Sequence, residues 1–169
     1  IALDVASPGD AGELVKRLRG RVGMFKVWSQ LFTAAGPDFV QEVVDGGEKV
    51  FLDLKYHDIP NTVANAVAAA ARLGVSLVDV HALGGKAMLE AAAGALPAMA
   101  TRLLAITVLT SHGEDSLGEL GIAGTLPASV RRLALLAQAA GVDGVVASPH
   151  AVALIREACG KDFVIVPPG

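Results

Sequence analysis

Apolar residues come in short bursts separated by longer stretches with helical spacing. Runs rich in Val, Ile, Leu and Phe occupy 1–5 (IALDV), 23–28 (GMFKVW), 49–55 (KVFLDLK), 77–82 (LVDVHA), 103–110 (LLAITVLT), 144–148 (GVVAS) and 162–167 (DFVIVP). Their length and β-branched content predict strands. The intervening segments 9–19, 37–46, 60–73, 85–99, 127–140 and 149–159 predict helices. Gly20, Gly74 and Gly141 follow three of these segments, where a left-handed cap closes a helix. Pro37, Pro60 and Pro149 stand where a helix can start, because a first-turn proline loses no intrahelical hydrogen bond. The connection from Ser111 to Leu126, with several Gly and acidic residues, predicts a loop with a short helix near a functional face. Alternation of strand and helix builds βαβ units on a parallel sheet. Seven strands and six helices without a break in composition favour a (β/α) barrel over an open sheet. The expectation is an α/β chain forming one TIM-type (β/α)8 barrel domain over 1–169.

Strand side chains alternate between faces. Val50, Leu52 and Leu54 share the face suited to packing under helices, while Phe51, Asp53 and Lys55 share the other. The same count sets Asp4 against Leu3 and Val5, Lys26 against Phe25 and Val27, and Asp79 and His81 against Val78 and Val80. The fifth run ends in Thr110 and Ser111. In a barrel the second face points inward, and the C-terminal strand ends form the mouth where such enzymes place their chemistry. A buried charge costs several kcal/mol unless it is paired, so Lys and Asp alternating in one mouth offset each other. Asp79 and His81 read as an internal pair of their own.

Composition narrows the functional classes. The chain has 169 residues, 53% hydrophobic and 18% charged, with net charge -3, which argues for a packed core and against disorder. The mild acidity and the lack of a Lys/Arg run argue against a nucleic-acid partner. Cys159 is the only cysteine; it allows no intramolecular disulfide, fits a reducing compartment, and reads as a small buried helix side chain. The Ala-rich stretches VANAVAAAARLG and MLEAAAGALPAMA fall short of the roughly 20 apolar residues that span a bilayer. A cytoplasmic protein is expected. No signal peptide is visible, and the chain opens inside an apolar run without a methionine, so residues before it are expected to be absent from this sequence.

One stretch is more specific than any of this. FLDLKYHDIPNTV, residues 51–63, resembles the signature of the orotidine 5'-monophosphate decarboxylase family, Asp-x-Lys-x-x-Asp followed by Ile-Pro-Asn-Thr. IALDVAS, FKVWSQLFTAAGP, VDVHALGG and ITVLTS are similar to the family's first, second, fourth and fifth strand segments, so the resemblance runs along the whole chain. It implies cofactor-free, metal-free conversion of orotidine monophosphate (OMP) to uridine monophosphate (UMP) in pyrimidine biosynthesis. It implies a catalytic array of Lys26, Asp53, Lys55 and Asp58, with Lys55 protonating C6 of the ring. Asp4 and Lys26 would bind ribose hydroxyls, Asp53 would lie near the departing carboxylate, and Thr110 and Ser111 near the pyrimidine. Asp58, Ile59 and Thr62 would reach into the neighbouring site of a homodimer.

Two departures stand out. Trp28 occupies a position where the family usually has Gly, and Gln30 one where Glu is common. Whether Trp28 fills the mouth or packs outside it is open from sequence. The family pattern continues past the seventh strand with Pro-Gly-Ile-Arg, a loop carrying a Gln, and an eighth strand ending in Gly-Arg; these hold the substrate phosphate. Here Pro168 and Gly169 match only the start of that segment. The sequence is therefore expected to be incomplete at its C-terminus, lacking the last strand and helix. Two alternatives remain: a related metal-dependent sugar-phosphate decarboxylase sharing Asp-x-Lys-x-x-Asp, for which Asp79 could supply an extra carboxylate, and a non-catalytic nucleotide-binding protein.

Overall fold

The computed structural model describes residues 1–5, 7–96 and 101–168. Six parallel strands hydrogen-bond in chain order: β1 (Phe25–Trp28), β2 (Val50–Tyr56), β3 (Leu77–His81), β4 (Arg102–Ile106), β5 (Gly144–Val146) and β6 (Val164–Val166). Helices alternate with them: α1 (Pro8–Leu18), α2 (Ser29–Asp45), α3 (Pro60–Arg72), α4 (Gly85–Gly94), the short α5 (Glu114–Glu119) and α6 (Leu126–Ala139), and α7 (Val152–Cys159). The sheet curls into part of a TIM-type α/β barrel, as the alternating pattern predicts.

The two-residue period sorts the side chains. Val27, Leu52, Val78, Val80, Leu103, Ala105 and Val145 are buried in one continuous core with helix residues such as Val40, Val67, Leu89, Leu133 and Ile155. Phe51, Leu104 and Ile106 are buried on the opposite, concave face, outside that cluster. Burying a Val, Leu or Ile side chain contributes about 1.5–3 kcal/mol, so the helix-facing layer carries the stability and leaves the concave face free for polar groups.

Three local details depart from the sequence reading. The run 1–5 is not a full strand: it pairs with β1 only at an isolated bridge between Ala2 and Lys26, with Leu3 donating to the Lys26 carbonyl at 2.9 Å. Lying at the edge, it has one neighbour to bond. α2 starts at Ser29 rather than near Pro37. Gly36 interrupts it with φ 72° and ψ -177°, so Pro37 opens a second helical segment within it. β4 ends at Ile106; Thr107 adds one more rung through its N–H and hydroxyl, both donating to the Val146 carbonyl at 3.2 Å. Thr110 then lies in a turn above the sheet. The end of the helix expected over 85–99 falls partly outside the described residues. Cys159 is buried on α7, as its sequence context implies. Among the described residues no helix is long and apolar enough to cross a membrane.

Gly144 lets β5 and β6 approach closely. A Cβ there would fall 2.8 Å from the Val164 carbonyl carbon and closer still to its oxygen. Because the obstacle is backbone, relief requires moving a strand. Gly144→Ala is therefore expected to lower the unfolding free energy by about 1–3 kcal/mol in denaturant titration. Gly113→Ala, where an added Cβ meets nothing within 4 Å, should change it by less than about 0.5 kcal/mol.

Candidate active site

The concave face carries a cavity of about 630 Å³ that runs from Met24 and Leu77 at the strand starts to Lys55 and Thr110 near or past their C-terminal ends. Asp4, Lys26, Asp53, Lys55, Thr110 and Pro168 all line it, so six of the residues singled out in the sequence meet around one space. Apolar walls come from Phe51, Ile106, Val108 and Val146. Trp28 lines it too, which resolves the alternative left open above: the indole fills part of the mouth. Its ring centroid lies 5.4 Å from Lys26 Nζ, within cation–π range.

Asp53 is the centre of the charges. The β1–β2 register sets Trp28 beside Asp53 and Lys26 beside Phe51, so Lys26 reaches Asp53 on the diagonal. Lys26 Nζ lies 3.1 Å from Asp53 Oδ2, and Lys55 Nζ donates to Asp53 Oδ1. The Asp53 side chain is 6% exposed. Burial alone would raise its pKa. The adjoining Asp79 carboxyl and the Lys55 and Lys26 ammonium groups outweigh that and hold the carboxyl below its usual range. The carboxylate is thus ionised and bridges two ammonium groups.

The backbone that delivers Lys55 is irregular. Leu52 pairs with Val78 and the next pair is Tyr56 with Val80, so three residues of β2 stand opposite Asp79 alone. Lys55 lies in this bulge with φ 53°, the only positive φ among described non-glycine residues. Such a conformation costs on the order of 1–3 kcal/mol and persists only where surroundings enforce it. The Lys55 N–H donates to Asp79 Oδ1 at 2.7 Å.

Asp79 and His81 do not form the pair expected between them. Positions two apart on a strand lie nearly 7 Å apart, and the bulge brings the Lys55 N–H to Asp79 first. Asp79 Oδ2 and His81 Nδ1 are both buried without a partner. Burial, then the Asp53 carboxylate beside it, push the Asp79 carboxyl well above its ordinary range. His81 packs instead against His57, ring centroids 5.4 Å apart. Burial, with the charges of His57 and Lys55, holds it below the usual imidazole range.

The remaining predicted residues lie elsewhere. Asp58, Ile59 and Thr62 are exposed and away from this chain's cavity, Ile59 at 65%. Asp58 Oδ1 accepts the Ile59 N–H at 2.6 Å, leading into α3 at Pro60. Ser111 is exposed beside Thr110 but does not line the cavity. Gly169 lies outside the described residues. Sequence reasoning missed the bond from Asp79 to the Lys55 main chain. The only signal for it was an acid on the concave face of β3, next to the strand that carries the motif.

Comparison with known proteins covers the whole chain. The profile of the Orotidine 5'-phosphate decarboxylase / HUMPS family matches residues 1–169. The chain is 55% identical over 175 residues to the orotidine 5'-phosphate decarboxylase of Syntrophotalea carbinolica, covering 99% of this chain and 72% of that protein. It is 50% identical over 169 residues to that of Nitrosomonas eutropha, covering 100% of this chain and 73% of the relative. Its backbone is similar to a crystal structure of orotidine 5'-phosphate decarboxylase from Lactobacillus acidophilus, with TM-score 0.92, 38% identity, and coverage of 99% and 79% of the two chains. An uncharacterized conserved protein from Geobacillus kaustophilus matches with TM-score 0.93 and 41% identity over 98% of this chain and 80% of its own. With sequence and backbone in agreement over nearly the whole chain, the chain belongs to the Orotidine 5'-phosphate decarboxylase / HUMPS family.

Proposed function

We propose that this protein decarboxylates orotidine 5'-monophosphate to uridine 5'-monophosphate in pyrimidine biosynthesis, using its own side chains as the only catalytic groups. The observation that carries the reading is the buried Asp53 carboxylate bridging Lys26 and Lys55 at the edge of the cavity. In the reaction the C6–carboxylate bond breaks, carbon dioxide leaves, and the electron pair stays on C6. Lys55 stabilises that developing charge as a cation and then gives C6 a proton; solvent returns a proton to its amine. Asp53 fixes both lysines and faces the departing carboxylate. Asp4 and Lys26 bind ribose hydroxyls, Thr110 and Ser111 flank the pyrimidine, and Pro168 and Gly169 begin the phosphate-binding segment.

The same reading makes the active unit a homodimer. Asp58 and Ile59 sit on the β2–α3 turn and Thr62 in the first turn of α3, all exposed and none lining their own cavity, the disposition that a role in a partner's site requires. An apolar Ile59 exposed beside a charged Asp58 on a short turn fits a buried position across an interface.

Incubation with orotidine monophosphate, followed by the loss of orotate absorbance, should show turnover. Lys55→Ala should lower kcat by at least about a thousandfold, since it removes both the cation and the proton donor. Wild-type binding of uridine monophosphate without any decarboxylation would leave a nucleotide-binding protein instead. For the dimer, co-expression of Lys55→Ala with Asp58→Ala chains tests sharing of sites. Each variant alone should be nearly inactive. The mixture should recover about a quarter of wild-type activity, because half the dimers are mixed and each holds one intact site. A mixture no more active than its parents would place Asp58 outside the partner's site.

A further inference from the structure

We propose that Asp79 is a positioning residue for Lys55: its carboxyl clamps the Lys55 main chain in the bulge that presents the ammonium to Asp53 and the cavity. This role rests on reading Lys55 as the proton donor. Asp79 is fully buried on β3 and does not line the cavity, so it acts on the chemistry only through its neighbours. Lys55 is the one described non-glycine residue with positive φ, and its N–H, turned off the regular ladder, ends on Asp79 Oδ1 at 2.7 Å. A regular parallel rung would send the Lys55 side chain along a different line. The side-chain acceptor replaces the rung that the bulge removes.

The second oxygen of Asp79 supplies the other half of the clamp. Oδ2 is buried without a donor, a costly position for a carboxylate. It is satisfied if that oxygen carries a proton and donates to Asp53. Burial and the Asp53 charge favour this neutral form. Oδ1 is then a carbonyl accepting from the Lys55 main chain, while the Oδ2 hydroxyl steadies the carboxylate that holds the Lys55 ammonium. One neutral acid fixes both ends of the same lysine. Lys55 and Tyr56 also interact with it, and neither supplies Oδ2 with a hydrogen bond.

Asparagine can make both contacts, through its carbonyl and its amide N–H, whereas alanine can make neither. The test compares steady-state decarboxylation and Lys55 amide hydrogen exchange in wild type, Asp79→Asn and Asp79→Ala. Asp79→Ala should lose at least about tenfold in kcat per folded protein with KM changed less than about threefold, since substrate never touches residue 79. Its Lys55 amide should exchange at least about tenfold faster. Asp79→Asn should return kcat to within about threefold of wild type and restore the protection. A folded Asp79→Ala with wild-type kcat, or an Asp79→Asn as slow as Asp79→Ala, overturns the assignment. Should Asp79→Ala fail to fold, Asp79→Asn decides: near-wild-type kcat with a protected amide supports the clamp, and loss of either overturns it. Should wild type itself show no turnover, the decarboxylase reading fails separately. The exchange data then judge the clamp alone: a Lys55 amide unchanged in Asp79→Ala overturns it, and faster exchange reversed in Asp79→Asn supports it.

Discussion

A carboxylate held between two ammonium groups on the concave face of a parallel sheet is the constraint on which this structure turns. Asp53 is nearly inaccessible to solvent, and burial of a lone carboxylate would drive it towards its neutral form. Lys26 from β1 and Lys55 from its own strand reverse that balance. The register of β1 on β2 must therefore be the observed one, because a slip of one residue would send Lys26 into the helix-facing core. The same slip would bring Phe25 and Val27 out of that core, so packing and electrostatics select the same alignment.

Charge within the cluster also has a consequence for what the cavity accepts. On the clamp proposed for Asp79 that acid is protonated, so Lys26 and Lys55 face Asp53 as the ionised acid between them, with Asp4 as a further carboxyl of the cavity lining. Were Asp79 ionised beside Asp53, the cluster would carry one more negative charge and would accept an anionic ligand less readily. The neutral acid lets the site hold two carboxyls close together without that loss.

Much of this was readable in the chain because a two-residue period and a 3.6-residue period are properties of sequence. The six strands, the caps at Gly20, Gly74 and Gly141, the short helix in the 111–126 connection, and the meeting of Lys26, Asp53 and Lys55 on one face follow from such counting. What escaped it depends on neighbours in space. Residues 1–5 are as apolar as a strand but have one edge to bond, and they pair at a single bridge. The bulge at Lys55 carries no glycine to announce it. Its positive φ comes with a hydrogen bond to an acceptor 24 positions away, which strand periodicity cannot reveal. The expected Asp79–His81 pair failed for the same reason: side chains two apart share a face but not a bond, and the adjacent strand had the better donor. Trp28 could be assigned to the mouth only once β1 was aligned against Asp53.

The irregularities also fall in one place. Lys55 with its positive φ, the orphan oxygen of Asp79 and the unpartnered Nδ1 of His81 all sit on β2 and β3 near their C-terminal ends. The helix-facing side of the same two strands is regular and apolar: Val50, Leu52, Val78 and Val80 are fully buried. A strand that packs this well on one face can hold an unfavourable backbone angle and a buried acid on the other, since the apolar face fixes its position independently of them. Separating stability and strain onto opposite faces of the same two strands allows the polar face to be set by the geometry of Lys55 and Asp53 rather than by the needs of folding. It also explains why the disruption is a bulge and not a break. β2 resumes pairing at Tyr56 with Val80, so the departure is confined to the residues that aim the lysine.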